Sequence, residues 1–321
     1  MNPLAPLHLS SDHLHVSILP RGATLAAVRF GQDQRNLVIG FADTQDHLAV
    51  PIYAGALVGP IANRIKDGLV DLGGTRHQMA RNEGGRTALH SGPDGLHAQD
   101  WDILAHAHDH LDLAITLKDG DQGLPGRRQI TATYRLKGDC LTLDLSATTD
   151  RPTPMNIAAH PYWRLDEHPD ISGQKLQVMA THYLPTDADN LPTGQVAPVA
   201  NTGFDFTTPR LVPLTPALDV NFCLATVDRP TPLRSAQLTG QDGTRLVIAT
   251  TAPGLQVYNG AFIPALNGCR DDGGDLGPYA AIALEPQGWP NAPHHPGFPQ
   301  ITLYPGQIWR QITTYRLTPA L

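Results

Sequence analysis

The chain has 321 residues, 41% hydrophobic and 17% charged, enough to bury a sizeable core and too apolar for a disordered segment. Its 23 Lys and Arg against 30 Asp and Glu give a formal net charge of -7. The only lysines are Lys66, Lys118, Lys137 and Lys175, with no basic run, which excludes a phosphate-backbone footprint and hence nucleic-acid binding as the main task. With 30 glycines and 29 prolines, roughly one and a half times average usage, long helices are expected to be rare and a helical bundle is excluded.

The first residues lack the basic and apolar regions of a secretory signal. No apolar stretch reaches the roughly 18 residues of a membrane span, so no membrane partner is expected. Cys140, Cys223 and Cys269 are far apart, odd in number and outside any CxxC spacing, as expected of reduced thiols in a cytoplasmic protein.

In chain order, the first segment of interest is Gly59-Pro60-Ile61-Ala62-Asn63-Arg64-Ile65, joined by a polar hairpin-like stretch to Ala88-Leu89-His90-Ser91-Gly92. An Arg and a His beside small residues suit a cleft where a ligand nears the backbone, and a guanidinium fork can grip vicinal hydroxyls. Taken alone, Arg64 equally fits a salt-bridged surface residue. His106-Ala107-His108-Asp109-His110 would place three histidines on one face of a strand. No carboxylate or thiol cluster accompanies them, so an exposed edge is expected rather than a metal site. Leu111–Leu117 and Leu141–Ala147 alternate apolar and polar residues, as do Arg245–Thr250 and Leu255–Tyr258, which predicts strands with one buried face. Turn clusters such as Lys118–Gly123 and Asp271–Asp275 separate such runs, and no βαβ alternation is visible. The expectation is one all-β domain over residues 1–321, a large antiparallel β-sandwich with few short helices.

Three further stretches could carry chemistry. In Pro154–Trp163, His160 is locked by Pro161 and flanked by Tyr162 and Trp163, aromatic rings that could stack on a sugar while the imidazole supplies a proton. A histidine satisfied beside aromatic core is the alternative. Asp219, between Leu218 and Val220, could accept bonds from hydroxyls or cap a turn. Glu285 ends the apolar run Ala283-Leu284, a costly place for a carboxylate unless it is paired or used. Burial there would raise its pKa toward that of a general base. The proline-rich continuation to Pro299 looks built to hold a wall, with His294 and His295 on its rim.

Taken in order, these segments resemble the aldose 1-epimerase (galactose mutarotase) family across most of the chain. Gly59–Ile65 is similar to its Gly-x-x-Ala-Asn-Arg-Ile segment, Leu89–Gly92 to Leu-His-Gly-Gly, Asp219–Phe222 to Asp-His-Asn-Phe, and Gly254–Ile263 to the segment read as Gly-x-Gln-x-Tyr-x-Gly. Gly123–Gly126 with Thr133–Leu136, Thr153–Leu165, Tyr183–Thr186 with Pro192–Gly194, and Leu284–Pro299 with Pro305-Gly306 and Arg310-Gln311 complete the match. The resemblance implies a β-supersandwich with an open sugar cleft and interconversion of α and β anomers of a free aldose such as galactose or glucose. It implies Glu285 as base and His160 as acid, with Arg64, His90, Asp219, Asn63 and Tyr162 binding substrate. No cofactor or metal is implied, and the partner is a small-molecule sugar, with a monomer or homodimer both compatible.

The chain departs from the pattern at Ala159, Pro161, Trp163, Val220, Ala261 and Pro286, positions expected to line the cleft and bear on sugar identity. Three rival readings remain: an inert sugar-binding or sensing module, a hexose-6-phosphate 1-epimerase, and a glycoside hydrolase. The second should need clustered Arg or Lys. The third needs two carboxylates about 5–9.5 Å apart across the bond.

Overall fold

A computed structural model describes residues 2–31 and 34–319. The period-two runs become strands as expected. His110–Leu117 buries Leu111, Leu113, Ile115 and Leu117, and Cys140–Thr149 alternates throughout. They belong to an antiparallel nine-stranded sheet, ordered Asp102–His106, His110–Leu117, Arg128–Lys137, Cys140–Thr149, Trp309–Thr318, Arg245–Thr250, Leu233–Thr239, Lys175–Val178 and Arg210–Leu211. Helix is confined to Asp46–Ala49 and to 3-10 turns at Leu96–Ala98, Asp121–Gly123 and Ala292–His294 among the described residues, as the proline and glycine content dictates.

A second sheet of six strands runs Tyr162–Trp163, Ile282–Gln287, Gly254–Tyr258, Asp219–Cys223, His182–Tyr183, Ala197–Pro198. One hydrophobic cluster joins Leu143, Leu145 and Tyr315 of the large sheet to Phe222, Leu255, Val257, Ile282 and Leu284 of the small one. The N-terminal four-stranded sheet contributes Leu9, Val16, Leu25 and Val28 to the same core. Each such side chain, fully buried, adds about 1.5–3 kcal/mol.

Alternation in the six-stranded sheet sets up the site. Ile282 and Leu284 face the main core while Ala283 packs in a second cluster on the other side, so Glu285 shares the outer face with Ala283. Leu255 and Val257 likewise turn inward, leaving Gln256 and Tyr258 on the outer face. In register, Gln256 lies opposite Glu285 and Asp219 opposite Tyr258. The same rule splits the expected aromatic platform. Tyr162 packs in the outer cluster, whereas Trp163 is fully buried in the main core 5.4 Å from the Tyr315 ring, so Trp163 cannot touch a ligand.

The triple-histidine segment is a hairpin tip rather than a strand face. One strand ends at His106 and the next begins at His110, and His106 Nε2 lies 3.0 Å from the His8 carbonyl oxygen.

Candidate active site

Over the outer face of the six-stranded sheet opens a cavity of about 370 Å³. It gathers Asn63, Arg64, His90, His160, Tyr162, Asp219 and Glu285, the seven residues singled out from the sequence, from segments far apart along the chain. The sheet supplies Asp219, Gln256, Tyr258 and Glu285. The facing wall comes from a short ladder in which Arg64 pairs with Leu89, placing His90 one residue beyond the ladder. His160 sits between two short strands, Ala158–Ala159 and Tyr162–Trp163, which pair with different partners.

The wall is held in costly backbone conformations. Tyr53, Asn63, His90 and Asn190 all line the cavity with left-handed φ of 59°, 63°, 53° and 56°. Asparagine adopts that region readily, but a bulky Tyr or His there stores about 1–3 kcal/mol. Such conformations persist only where surrounding contacts impose them. At His90 the constraint is visible. The Asn63 backbone N–H donates to His90 Nδ1 at 3.1 Å, and the His90 N–H donates to the Asn63 carbonyl at 3.1 Å. Because Nδ1 accepts, a neutral His90 carries its proton on Nε2. Asn63 Oδ1 in turn accepts from the Arg64 backbone N–H at 2.8 Å, so Asn63 fixes both neighbours.

Arg64 is neither solvated nor free. Its Nε and Nη2 donate to the two carboxylate oxygens of Glu83 at 2.8 and 2.9 Å, and its Nη1 donates to Asp219 at 3.1 Å. Burial opposes its charge, but Asp219 and Glu83 outweigh it and hold the guanidinium above its ordinary pKa. Asp219 also accepts from the Gln256 amide, so it is a network member rather than a turn cap.

At the floor, His160 Nε2 and Glu285 Oε2 approach to 3.6 Å, both side chains almost wholly buried. Burial, reinforced by the nearby Asp219, pushes the Glu285 carboxyl well above the ordinary carboxylate range, with Arg64 only partly opposing it. Burial also lowers His160 to about 4, so the resting pair favours a carboxyl beside a neutral imidazole rather than an ion pair. His90 is driven well below its ordinary value by burial and by its histidine neighbours. Among the described residues neither Glu285 Oε2 nor His160 Nδ1, both closed off from solvent, has a hydrogen-bond partner, which is an unusual state for buried polar atoms. His90, His160 and Glu285 each offer one ligand atom within 4.8 Å of the others, so the donor set that suits proton transfer could also grip a divalent metal.

A family model described as aldose 1-epimerase matches residues 7–316. The chain belongs to the aldose 1-epimerase family. It is an isomerase of carbohydrate metabolism. Galactose mutarotase of Sus scrofa is 32% identical over 96% of this chain and 92% of its own length. Aldose 1-epimerase of Escherichia coli K12 is 30% identical over 94% and 91%. Among solved structures, an aldose epimerase homologue from C. elegans superposes with a TM-score of 0.91 at 27% identity, covering 99% of both chains. A galactose 1-epimerase from Lactobacillus acidophilus gives 0.84 at 27% identity, over 98% of this chain and 94% of its own.

Within this epimerase cleft, sequence reasoning missed Glu83, Tyr53 and Asn190. Gln256, Tyr258 and Phe262 were signalled by the Gly254–Ile263 segment without being assigned a place. Glu83 had no signal, being one carboxylate in a polar loop. The departures from the family pattern scarcely touch this cavity. Val220 lines an adjoining one and Ala261 only flanks Phe262, while Ala159, Pro161 and Pro286 are absent from the walls. His294 and His295 bond to the carbonyl oxygens of Leu69 and Pro192, which fastens the proline-rich wall.

Proposed function

We propose that Glu285 is the base and His160 the acid that open the sugar ring, their roles reversing as it recloses, with Arg64, His90 and Asp219 holding its hydroxyls. The observation that carries this reading is the approach of His160 Nε2 to Glu285 Oε2 at 3.6 Å, with both residues lining the cavity. Glu285 as carboxylate takes the proton of the anomeric O1–H. The C1–O5 bond breaks, its electrons go to O5, and O5 takes the proton of the His160 imidazolium. The open aldehyde turns about C1–C2 and closes on its other face, Glu285 now giving a proton to O1 while His160 takes one from O5. Ring opening thus converts carboxylate and imidazolium into carboxyl and imidazole, the forms that burial favours, and closing reverses it. The dry site stabilises the state holding the aldehyde, and each group contributes about 10²–10⁴-fold. His90, protonated on Nε2, donates a hydrogen bond without competing as a base.

The substrate is a free aldose such as galactose or glucose. Among the cavity walls Arg64 is the single guanidinium or ammonium group, and it is already shared by two carboxylates, with Glu285 nearby. A phosphate dianion would meet more negative than positive charge. Asp219, committed to Arg64 and Gln256, is poorly placed to act as the second carboxylate of a hydrolase. Among the described residues no helix is long and apolar enough to cross a membrane. The three cysteines are free thiols, which supports a cytoplasmic location. Mutarotation rates over galactose, glucose, xylose, arabinose and glucose 6-phosphate test the reading. The free hexoses should turn over well above the spontaneous rate, and a preference for the phosphorylated sugar would refute it.

A further inference from the structure

A histidine that moves protons is commonly aimed by a hydrogen bond to its second ring nitrogen. Among the described residues no such bond reaches His160 Nδ1. The ring is held by aromatic packing instead. Tyr162 lies 4.9 Å from it, His90 meets it edge-on at 5.4 Å, and Tyr53 stands at 6.0 Å. Tyr53 also meets His90 edge-on at 4.7 Å and His97 edge-on at 4.8 Å, so it braces the imidazoles from behind. On its far side opens a separate cavity of about 350 Å³, lined by Leu4, Leu19, Val50 and Ala56. Tyr53 lines both cavities.

The turn that carries Tyr53 clasps the backbone of His160 as well. The His160 N–H donates to the Ala56 carbonyl at 2.9 Å, and its carbonyl accepts from the Gly55 N–H at 3.0 Å. The Ala56 N–H closes the turn on the Tyr53 carbonyl at 3.0 Å, and the Leu25 N–H ties the Gly55 carbonyl to the N-terminal sheet at 2.8 Å. Position 55 must be glycine, because its φ is +75° and a Cβ would lie 2.1 Å from the Leu25 carbonyl oxygen. The left-handed φ of Tyr53 is thus imposed by a turn wedged against the sheet. The groups that act on its hydroxyl are Glu83, Asn82 and Arg64, which leaves the ring as its contact with His160.

We propose that Tyr53 is a positioning residue for ring opening, its aromatic ring supplying the orientation of the His160 imidazole that no hydrogen bond to Nδ1 provides. The proposal rests on the reading that His160 is the acid and Glu285 the base. Delivery of a proton to O5 needs His160 Nε2 within hydrogen-bond reach of it, and a misplacement of about 1 Å can cost about 10²-fold. A small residue at position 53 would merge the two cavities and leave the imidazole free to turn. His90 would keep its two bonds to Asn63, and Arg64 its bonds to Glu83 and Asp219, so the grip on the sugar hydroxyls would survive.

The test is polarimetric mutarotation of glucose by Tyr53→Gly, Tyr53→Leu and Tyr53→Phe, with and without added 4-methylphenol, the excised side chain as a free molecule. Glycine suits the left-handed φ, so the turn is kept while the ring is lost. Tyr53→Gly should lower kcat at least about tenfold with KM within about threefold, and Tyr53→Phe should restore kcat to within about threefold of the wild type. Added 4-methylphenol should fill the vacated space and raise kcat of Tyr53→Gly at least about threefold, with no such gain in the wild type. Tyr53→Leu, which fills the space without an aromatic face, should fall between Gly and Phe and stands in should Tyr53→Gly fail to fold, as thermal unfolding would show. Wild-type kcat in the folded Gly or Leu variant would overturn the proposal, as would a rise in KM at unchanged kcat. A loss in Tyr53→Phe equal to that in Tyr53→Gly would assign the effect to the hydroxyl and overturn it too. His160→Asn in the same assay keeps the two ideas apart, because wild-type turnover there would overturn the acid assignment whatever the Tyr53 variants do.

Discussion

Removing Glu83 should loosen the grip of Arg64 on the sugar without touching the chemistry. Glu83 receives both faces of the guanidinium fork and also the Thr87 hydroxyl at 2.6 Å, so it sets the plane in which Arg64 Nη1 reaches Asp219. Hydrogen bonds to charged groups contribute about 1.5–3 kcal/mol. The Glu83 side chain is 35% exposed against 11% for Arg64, so screening selects the lower end, about 1.5 kcal/mol. That corresponds to about tenfold in KM for Glu83→Ala, with kcat held within about threefold. Glu83→Gln retains one carbonyl acceptor and should cost only about threefold. Polarimetric mutarotation corrected for the spontaneous rate separates the two constants, and thermal unfolding shows whether each variant is folded. A tenfold loss of kcat at unchanged KM would place Glu83 in the proton transfers and refute the positioning argument. Wild-type constants in Glu83→Ala would show that Asp219 alone orients Arg64.

Glu285→Gln and His160→Asn should each lower kcat by about 10²-fold or more with little change in KM, whereas Asp219→Asn and Arg64→Lys should act mainly through KM by about 1–3 kcal/mol in kcat/KM. If Asp219→Asn loses kcat as fully as Glu285→Gln, a two-carboxylate mechanism is required. The pH profile of kcat/KM should be bell-shaped, with an acid limb near the His160 value of about 4 and an alkaline limb set by Glu285 above the ordinary carboxylate range. Below the first limb there is no base and above the second no acid, so a flat rate from about pH 3 to 9 would refute the pairing. Because the folded Glu285 holds its proton more tightly than the unfolded chain, its stabilising share is complete below the ordinary value of 4.5 and is lost as pH rises through the folded value. Thermal unfolding of Glu285→Gln should therefore gain on the wild type as pH rises, and a constant difference would contradict the burial argument. Activity should survive exhaustive chelation, while excess zinc should inhibit by occupying the His90, His160 and Glu285 atoms. Loss of rate with chelator, restored by zinc or manganese, would reverse this.

The sequence made the main strands legible because alternation along Leu111–Leu117 and Leu141–Ala147 is a direct imprint of a sheet with one buried face. Glu285 and His160 stood out because a carboxylate and an imidazole in apolar runs need a reason to be there. Arg64 was visible as a residue but not as an ion-paired one, since its partners Glu83 and Asp219 lie 19 and 155 positions away. Trp163 shows a rule available but not applied, because adjacent residues of a strand face opposite ways and Tyr162 already occupied the cleft side. The resting protonation of the pair was not legible at all, for it follows from burial on every side, which no local stretch of sequence encodes.

The placement of strand Trp309–Thr318 has a consequence for biosynthesis. It is the last strand along the described chain, yet it lies between Cys140–Thr149 and Arg245–Thr250 at the middle of the nine-stranded sheet. A nascent polypeptide emerging from the ribosome can form the Asp102–Thr149 hairpins early, but the two halves of the sheet stay unjoined until translation has passed Thr318. Until then, inner edges near Leu143 and Ile248 remain open to wrong pairing. Ribosome stalling or premature termination shortly before this strand should thus yield aggregating chains and demand on chaperones. A fragment ending before Trp309 would not be a shorter enzyme but two half-sheets without their keystone.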